Sequence, residues 1–401
     1  MATAATISTP QPGPPDISYK PDMAKYLART KRRQECENLE TTLPEGFPTQ
    51  LKSDLVWEGQ NLEEKYNWNY ELTSSDVGEI EAALRHFQSL NKPLGEISQT
   101  TFPLPTLHPI LREISQEIHA GHGFKVVRGV PVSRYTREEN IAIFAGISSH
   151  VAPIRGRQDR EYQGRPADVV LAHIKDLSSV IDADRIGQPA YTTEKQVFHT
   201  DIGDIIALFA LAESASGGES YLSSSWRVYN ELASTRPDLI RTLAEPWAFD
   251  EYGKGVRPYT PRPLLHHQPA TEDTPERLLI QYARRNFTGY WSLPRSPDIP
   301  VITEAQAEAL DALHFLAEKY AVSLDFRAGD IQYVNNLSIF HARNGFQDSP
   351  DKQRHLVRFW LRDPELSWKT PEVLQDRWDK VYADRSVEKE VFPLEPVIRS
   401  Q

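Results

Sequence analysis

The feature that most restricts this chain is the grouping of its strand-like segments. Short β-like runs (ADVVLAHI, DIIALFALA and, after the Gly217-Gly218 turn, ESYLSSS) lie between about residues 165 and 224. A second set, VSLDF, IQYVNN and LVRFWLRD, follows from about 322, with a Gly329-Asp330 turn inside it. Between the blocks, Trp226, Tyr229 and Leu232 share one face of a helix expected to end before Pro237. Thr303 with Gln306 caps another helix through Leu310, Leu313 and Ala317. The proline-rich stretch 246–300 reads as a long loop or lid, with a strand in RLLIQYARRNF. Regular strand–helix alternation and a glycine-rich phosphate loop are both missing, which argues against a doubly wound sheet. Two strand blocks flanked by helices predict an α+β chain with a double-stranded β-helix (jelly-roll, cupin-like) core.

The first third reads as mainly helical. Asp76 with Glu79 suggests a capping box before Ile80, Leu84, Phe87 and Leu90. Leu107, Ile110, Leu111, Ile114 and Ile118 repeat the helical spacing up to Gly121 and Gly123. FKVVRGVPV follows as a strand, then Thr136 with Glu139 caps a helix through Ile141, Phe144 and Ile147. Residues 1–15 are too poor in apolar side chains to offset the entropy of ordering and read as a disordered tail. With no repeat and no clear linker, residues 16–401 read as one domain.

Composition narrows the function. A formal net charge of −11 argues against a polyphosphate partner, so no nucleic acid is expected. No apolar run is long enough to span a bilayer, and the N-terminus lacks the pattern of a secretory signal. A single cysteine, Cys36, rules out an internal disulfide and fits a reducing, cytoplasmic setting. A small molecule is the expected partner, and a homo-oligomer remains open.

The sharpest chemical signal is Phe198-His199-Thr200-Asp201. Residues two apart in an extended segment point to the same side, so His199 and Asp201 can face one cation. Alone this is weak: 12 histidines and 56 acidic residues in 401 make one or two His-x-Asp/Glu tripeptides expected by chance. His341, 140 positions beyond Asp201 near a strand end, supplies the third donor that a barrel can bring close. Two histidines and one carboxylate with open positions suit non-haem iron(II) oxygenases. His119 with His122 lies at an expected helix end and is read as without a carboxylate partner, and adjacent His266 and His267 diverge if extended, so neither pair competes on spacing. Arg354 and Arg358, four apart in RHLVRFW, share a strand face and can enter one cavity. A guanidinium fork is the best grip on the far carboxylate of a dicarboxylate co-substrate, and Ser220 is a candidate hydroxyl beside it.

The order FHTD, GGES, NNLSIFHARNGF, RHLVR resembles the taurine/α-ketoglutarate dioxygenase (TauD/TfdA-like) family over about residues 115–365. The resemblance implies His199, Asp201 and His341 as ligands of catalytic iron(II), with 2-oxoglutarate and O2 as co-substrates. It implies Arg354 and Ser220 on the far carboxylate, and Arg358 deeper, near substrate or co-substrate. Four positions before the first ligand, members often carry an amide that helps hold the keto acid; here Lys195 stands in that place. The implied reaction releases succinate and CO2 and oxidises a C–H bond of a small polar metabolite, an amino acid or other carboxylate or sulfonate. Hydroxylation, desaturation and oxidative cyclisation all fit it. Arg358, Arg285, Arg284 and Lys195 are candidate anion contacts, and Tyr282, Phe287, Tyr290 and Trp291 a candidate apolar wall. Two alternatives stand beside this reading: a zinc hydrolase on the same three side chains, and a cupin-like binding protein without turnover.

Overall fold

The computed structural model describes residues 14–252, 255–383 and 389–398. The expected tail therefore lies almost wholly outside the described residues. Two sheets form the core. The larger runs, in spatial order, Asn69–Glu71, Phe124–Arg128, Ile331–Asn335, Ile205–Ala212, His355–Arg362 and Ile154–Arg155, with Ala172–Lys175 also paired to His355–Arg362. The smaller runs Val322–Leu324, Ser220–Ser224, Ile339–Arg343 and Gln196–His199. Pairing between these core strands is antiparallel except at the Asn69–Glu71 edge.

Alternation along the strands decides what faces where. In the larger sheet, Ile205, Ala207, Phe209, Ile331, Tyr333, Val357, Phe359 and Leu361 pack outward against the helices Leu107–Ala120 and Arg137–Val151. The Phe144 ring stacks on Phe359 at 4.4 Å between centroids. Side chains in between turn inward: Phe124, Val126 and Val334 meet Leu222, Val322 and Leu324 of the smaller sheet. The smaller sheet's outer face, through Phe198, Phe340 and Ala342, packs under Glu304–Lys319 and Ser225–Thr235. This is the expected double-stranded β-helix between helical layers.

Local expectations fare unevenly. The Thr136/Glu139 and Thr303/Gln306 boxes cap their helices as read. The first box is misplaced: Thr73 caps Ser74–Ser89 with Asp76, while the Glu79 carboxylate accepts from the backbone N–H of Thr106. Pro237 ends one helix but also opens a second, Pro237–Ala244, because a missing N–H costs nothing at a helix start. The stretch read as a lid is largely hairpin: Trp247–Asp250 pairs with Tyr259–Arg262, and Leu265–Gln268 with Arg277–Ile280. Pro261 sits in a two-stranded edge that tolerates it.

Candidate active site

The smaller sheet carries two of the three expected ligands. His341 pairs directly with His199 on one side and with Leu222 on the other, so all three face the barrel interior. Asp201 lies just past the Gln196–His199 strand, where Asn336 holds the turn by accepting from the Asp201 backbone N–H at 2.8 Å. The result is compact. One donor atom from each of His199, Asp201 and His341 lies within 4.8 Å of the others, and His199 Nε2 stands 3.7 Å from Asp201 Oδ1.

The surroundings dispose each group to coordinate. His199 Nδ1 donates to the Val197 carbonyl at 2.9 Å, which leaves Nε2 as the lone-pair nitrogen. The Gln196 amide meets that nitrogen at 3.0 Å, a contact that a bound cation would replace. Burial first, with the neighbouring His199 second, pushes the His341 ring down to about 3, so it is neutral at physiological pH. Burial likewise lowers His199. Asp201 Oδ2 accepts from Arg358 Nη1 at 2.6 Å and Trp360 Nε1 at 3.2 Å. Gln158 accepts from Arg358 Nε at 2.9 Å and is itself tied to two backbone carbonyls. Two neutral imidazoles and one oriented carboxylate, with one side open to a cavity, fit a divalent cation. Arg358→Met frees Asp201 to rotate, so Mn(II) affinity measured by EPR titration is expected to fall about 10- to 100-fold. Unchanged affinity would mean that Asp201 is aimed without Arg358.

Arg354 and Ser220 are both buried, at 6% and 7% exposure. Gly218, at φ +84, lets the chain pass so close that a Cβ there would meet Arg354 Nε at 3.0 Å. Arg354 Nη1 has no hydrogen-bond partner, and burial, with Arg343 second, lowers the guanidinium to about 9. Ser220 Oγ donates to Gln332 Oε1 at 3.0 Å.

A cavity of about 290 Å³ opens beside the triad, lined by His199, Asp201, Arg358 and Trp360 and, among others, Tyr282, Arg285 and Arg377. Several expected residues are elsewhere. Lys195 points to the surface and pairs with Glu318 at 2.8 Å; its neighbour Gln196 lines the cavity instead, since adjacent strand residues face opposite sides. Phe287 packs against Trp247 and Phe249, Trp291 is exposed, and Tyr290 is buried against Tyr19. Of the proposed wall, only Tyr282 lines the cavity. His122 has a carboxylate neighbour after all, Glu117 at 2.8 Å. Sequence reading missed Gln158, Trp360, Arg377 and Tyr19, which no local spacing marks.

Residues 90–360 match the family described as "Taurine catabolism dioxygenase TauD, TfdA family". The chain is 36% identical to the taurine hydroxylase-like protein SAT17 of Stachybotrys chartarum, covering 86% of this chain and 89% of that one. It is 22% identical to the FR-33289 synthase of Streptomyces rubellomurinus, covering 76% and 88%. Among solved structures, an asparagine oxygenase in complex with Fe(II), 3-hydroxyasparagine and succinate superposes with a TM-score of 0.54 at 16% identity, covering 75% of this chain and 98% of that one. The oxygenase OrfP in complex with Fe and α-ketoglutaric acid superposes at 0.52 and 17% identity, covering 73% and 93%. These last two speak for a shared fold.

Proposed function

The chain belongs to the TauD/TfdA family of dioxygenases, and from that premise we propose an iron(II)- and 2-oxoglutarate-dependent oxygenase acting on a small anionic metabolite. The single observation that carries the reading is the convergence of His199, Asp201 and His341 on one point, beside a cavity that His199 and Asp201 line. When bound there, iron(II) would supply the means to activate O2 and oxidise a substrate C–H bond at the cost of 2-oxoglutarate, which leaves as succinate and CO2. The protein's residues do the rest. His199 and His341 stay neutral and available, and Asp201 is held in one orientation by Arg358 and Trp360. Arg354, with a spare buried N–H, is suited to anchor the far carboxylate of the keto acid. A zinc hydrolase gives no reason for a buried guanidinium with a spare N–H.

The cavity argues for the substrate class. Its wall carries Arg284, Arg285, Arg358 and Arg377, and among the described residues the only carboxylate that lines it is that of Asp201. Arg284 is paired with Asp311 behind the wall, and Arg358 with Asp201. Arg377, on the Gln375–Tyr382 helix, has no carboxylate within ion-pair range among the described residues. Arg358, read from the sequence as a substrate contact, is thus committed to the proposed metal ligand, and Arg377 is the better placed anion contact, while Arg285, which also lines the cavity, donates from Nη1 to the Gly187 carbonyl at 2.9 Å. Tyr282 and Trp360 give the same cavity a flat apolar surface. Two experiments test this. Anaerobic addition of 2-oxoglutarate to the Fe(II) protein is expected to raise a weak visible charge-transfer band, which a zinc site cannot give. Succinate release is then measured across amino acids, sulfonates, phosphonates and neutral analogues, with stimulation expected only from anions. A band without stimulation by any anion would remove the substrate class and leave the cofactor assignment standing.

A further inference from the structure

We propose that Arg343 is a second guanidinium for the far carboxylate of 2-oxoglutarate, opposing Arg354 so that one anion bridges the two sheets. The inference rests on the co-substrate assignment above and adds a residue to it. Arg343 follows His341 by two positions on the same strand, so it lies on the same inward face, roughly 6–7 Å further from the metal site. It pairs directly with Ser220. Only 5% of its surface is exposed. Its Nη2 donates to the Thr192 carbonyl at 3.0 Å and to that of Glu194, which ties down the segment before the first ligand.

The other nitrogens are the clue. Arg343 Nε and Nη1 are buried with no hydrogen-bond partner, and so are Arg354 Nη1 and Gln332 Nε2. The two guanidiniums approach one ring, Phe346, at 4.7 Å and 5.4 Å from its centroid. Gln332 belongs to the larger sheet and receives the Ser220 hydroxyl, so donors from both sheets converge. Among the described residues neither arginine has a carboxylate within ion-pair range. Unpaired buried charge is strongly unfavourable, and four orphaned donors without an acceptor specify an anionic ligand. A keto acid held at the triad would carry its second carboxylate three carbon–carbon bonds beyond the keto group.

A purely structural Arg343, needed only to hold Thr192 and Glu194, is the rival. Calorimetric titration of the Mn(II)-loaded full chain with 2-oxoglutarate and with 2-oxobutanoate separates the two, because the latter keeps the chelating end and lacks the far carboxylate. Arg343→Met is expected to weaken 2-oxoglutarate about 10- to 100-fold while leaving 2-oxobutanoate within about threefold of wild type. Arg343→Lys, which retains the charge but not the fork, is expected to fall between, and it carries the test if the methionine variant does not fold. Wild-type affinity for 2-oxoglutarate in either folded variant, or an equal loss of both keto acids, overturns the proposal. A wild type that binds neither keto acid removes the co-substrate assignment, and this proposal with it.

Discussion

His341→Ala and Asp201→Ala will both abolish metal retention and turnover, but only the second will also weaken the metal-free fold. The difference comes from what each side chain leaves behind. His341 is neutral, and its Nδ1 already lacks a hydrogen-bond partner, so truncation strands nothing. Its loss from the inward face of the sheet is expected to cost about 1 kcal/mol. Asp201 is the carboxylate facing Arg358, a side chain only 6% exposed whose Nη1 lies 2.6 Å away. Removing one partner of a buried ion pair typically costs about 3–5 kcal/mol, and the lower end applies here because the cavity admits water. Urea unfolding of the metal-free proteins, alongside Mn(II) binding, gives both readings. Equal stability of the two variants would show that the Arg358–Asp201 contact contributes little to folding. Retained metal in either would remove that residue from the proposed ligand set.

Acid is expected to destabilise the metal-free protein well above the usual carboxylate range. Burial pushes His314 and His355 down to about 3 and His266 to about 4, against 6.5 for an exposed imidazole. Nearby cations help at His314 and His266, from Lys195 and Arg262 respectively, and the His173 ring helps at His355. A group whose pKa is lower folded than unfolded binds fewer protons in the fold. Its contribution is therefore complete above 6.5 and is lost as pH falls from there towards the folded value. At pH 5 each of the three costs about 2 kcal/mol. Asp204 acts in the opposite sense. Burial raises it to about 6 from 3.8, so it favours folding increasingly as pH falls through 6, which offsets part of the loss. The net expectation is a decline in unfolding free energy between pH 7 and pH 5, because the buried histidines outweigh the single carboxylate. Denaturant titrations at both values check it, and His314→Gln should flatten the slope. A stability that stays constant over that interval would contradict the burial of these rings.

Much of the chain could be read because its signals are local. A capping box needs two side chains three residues apart, and Thr136/Glu139 and Thr303/Gln306 show that pattern openly. The Asp76/Glu79 misreading is instructive. The carboxylate at Asp76 serves Thr73, and Glu79 is drawn off to a backbone N–H 27 positions away. Lys195 failed for a similar reason. Family position put it beside the keto acid, but strand alternation turned it outward to Glu318 and brought Gln196 inward.

By itself the sequence determined the alternating strands in two blocks, the apolar faces of the helices, and three metal-binding side chain types with Arg354 and Ser220 in family order. The strands and helix faces follow from periodicity, a property of neighbouring residues, whereas the candidate ligands with Arg354 and Ser220 follow from the family order of motifs far apart in the chain. Only the tertiary structure decided that Arg358 would lock Asp201, that Arg343 and Arg354 would share Phe346, and that Tyr19 would reach the cavity wall. Each of those depends on strand register and on segments packed from far apart in the chain, and register is fixed by burial of the whole sheet, not by any short stretch within it.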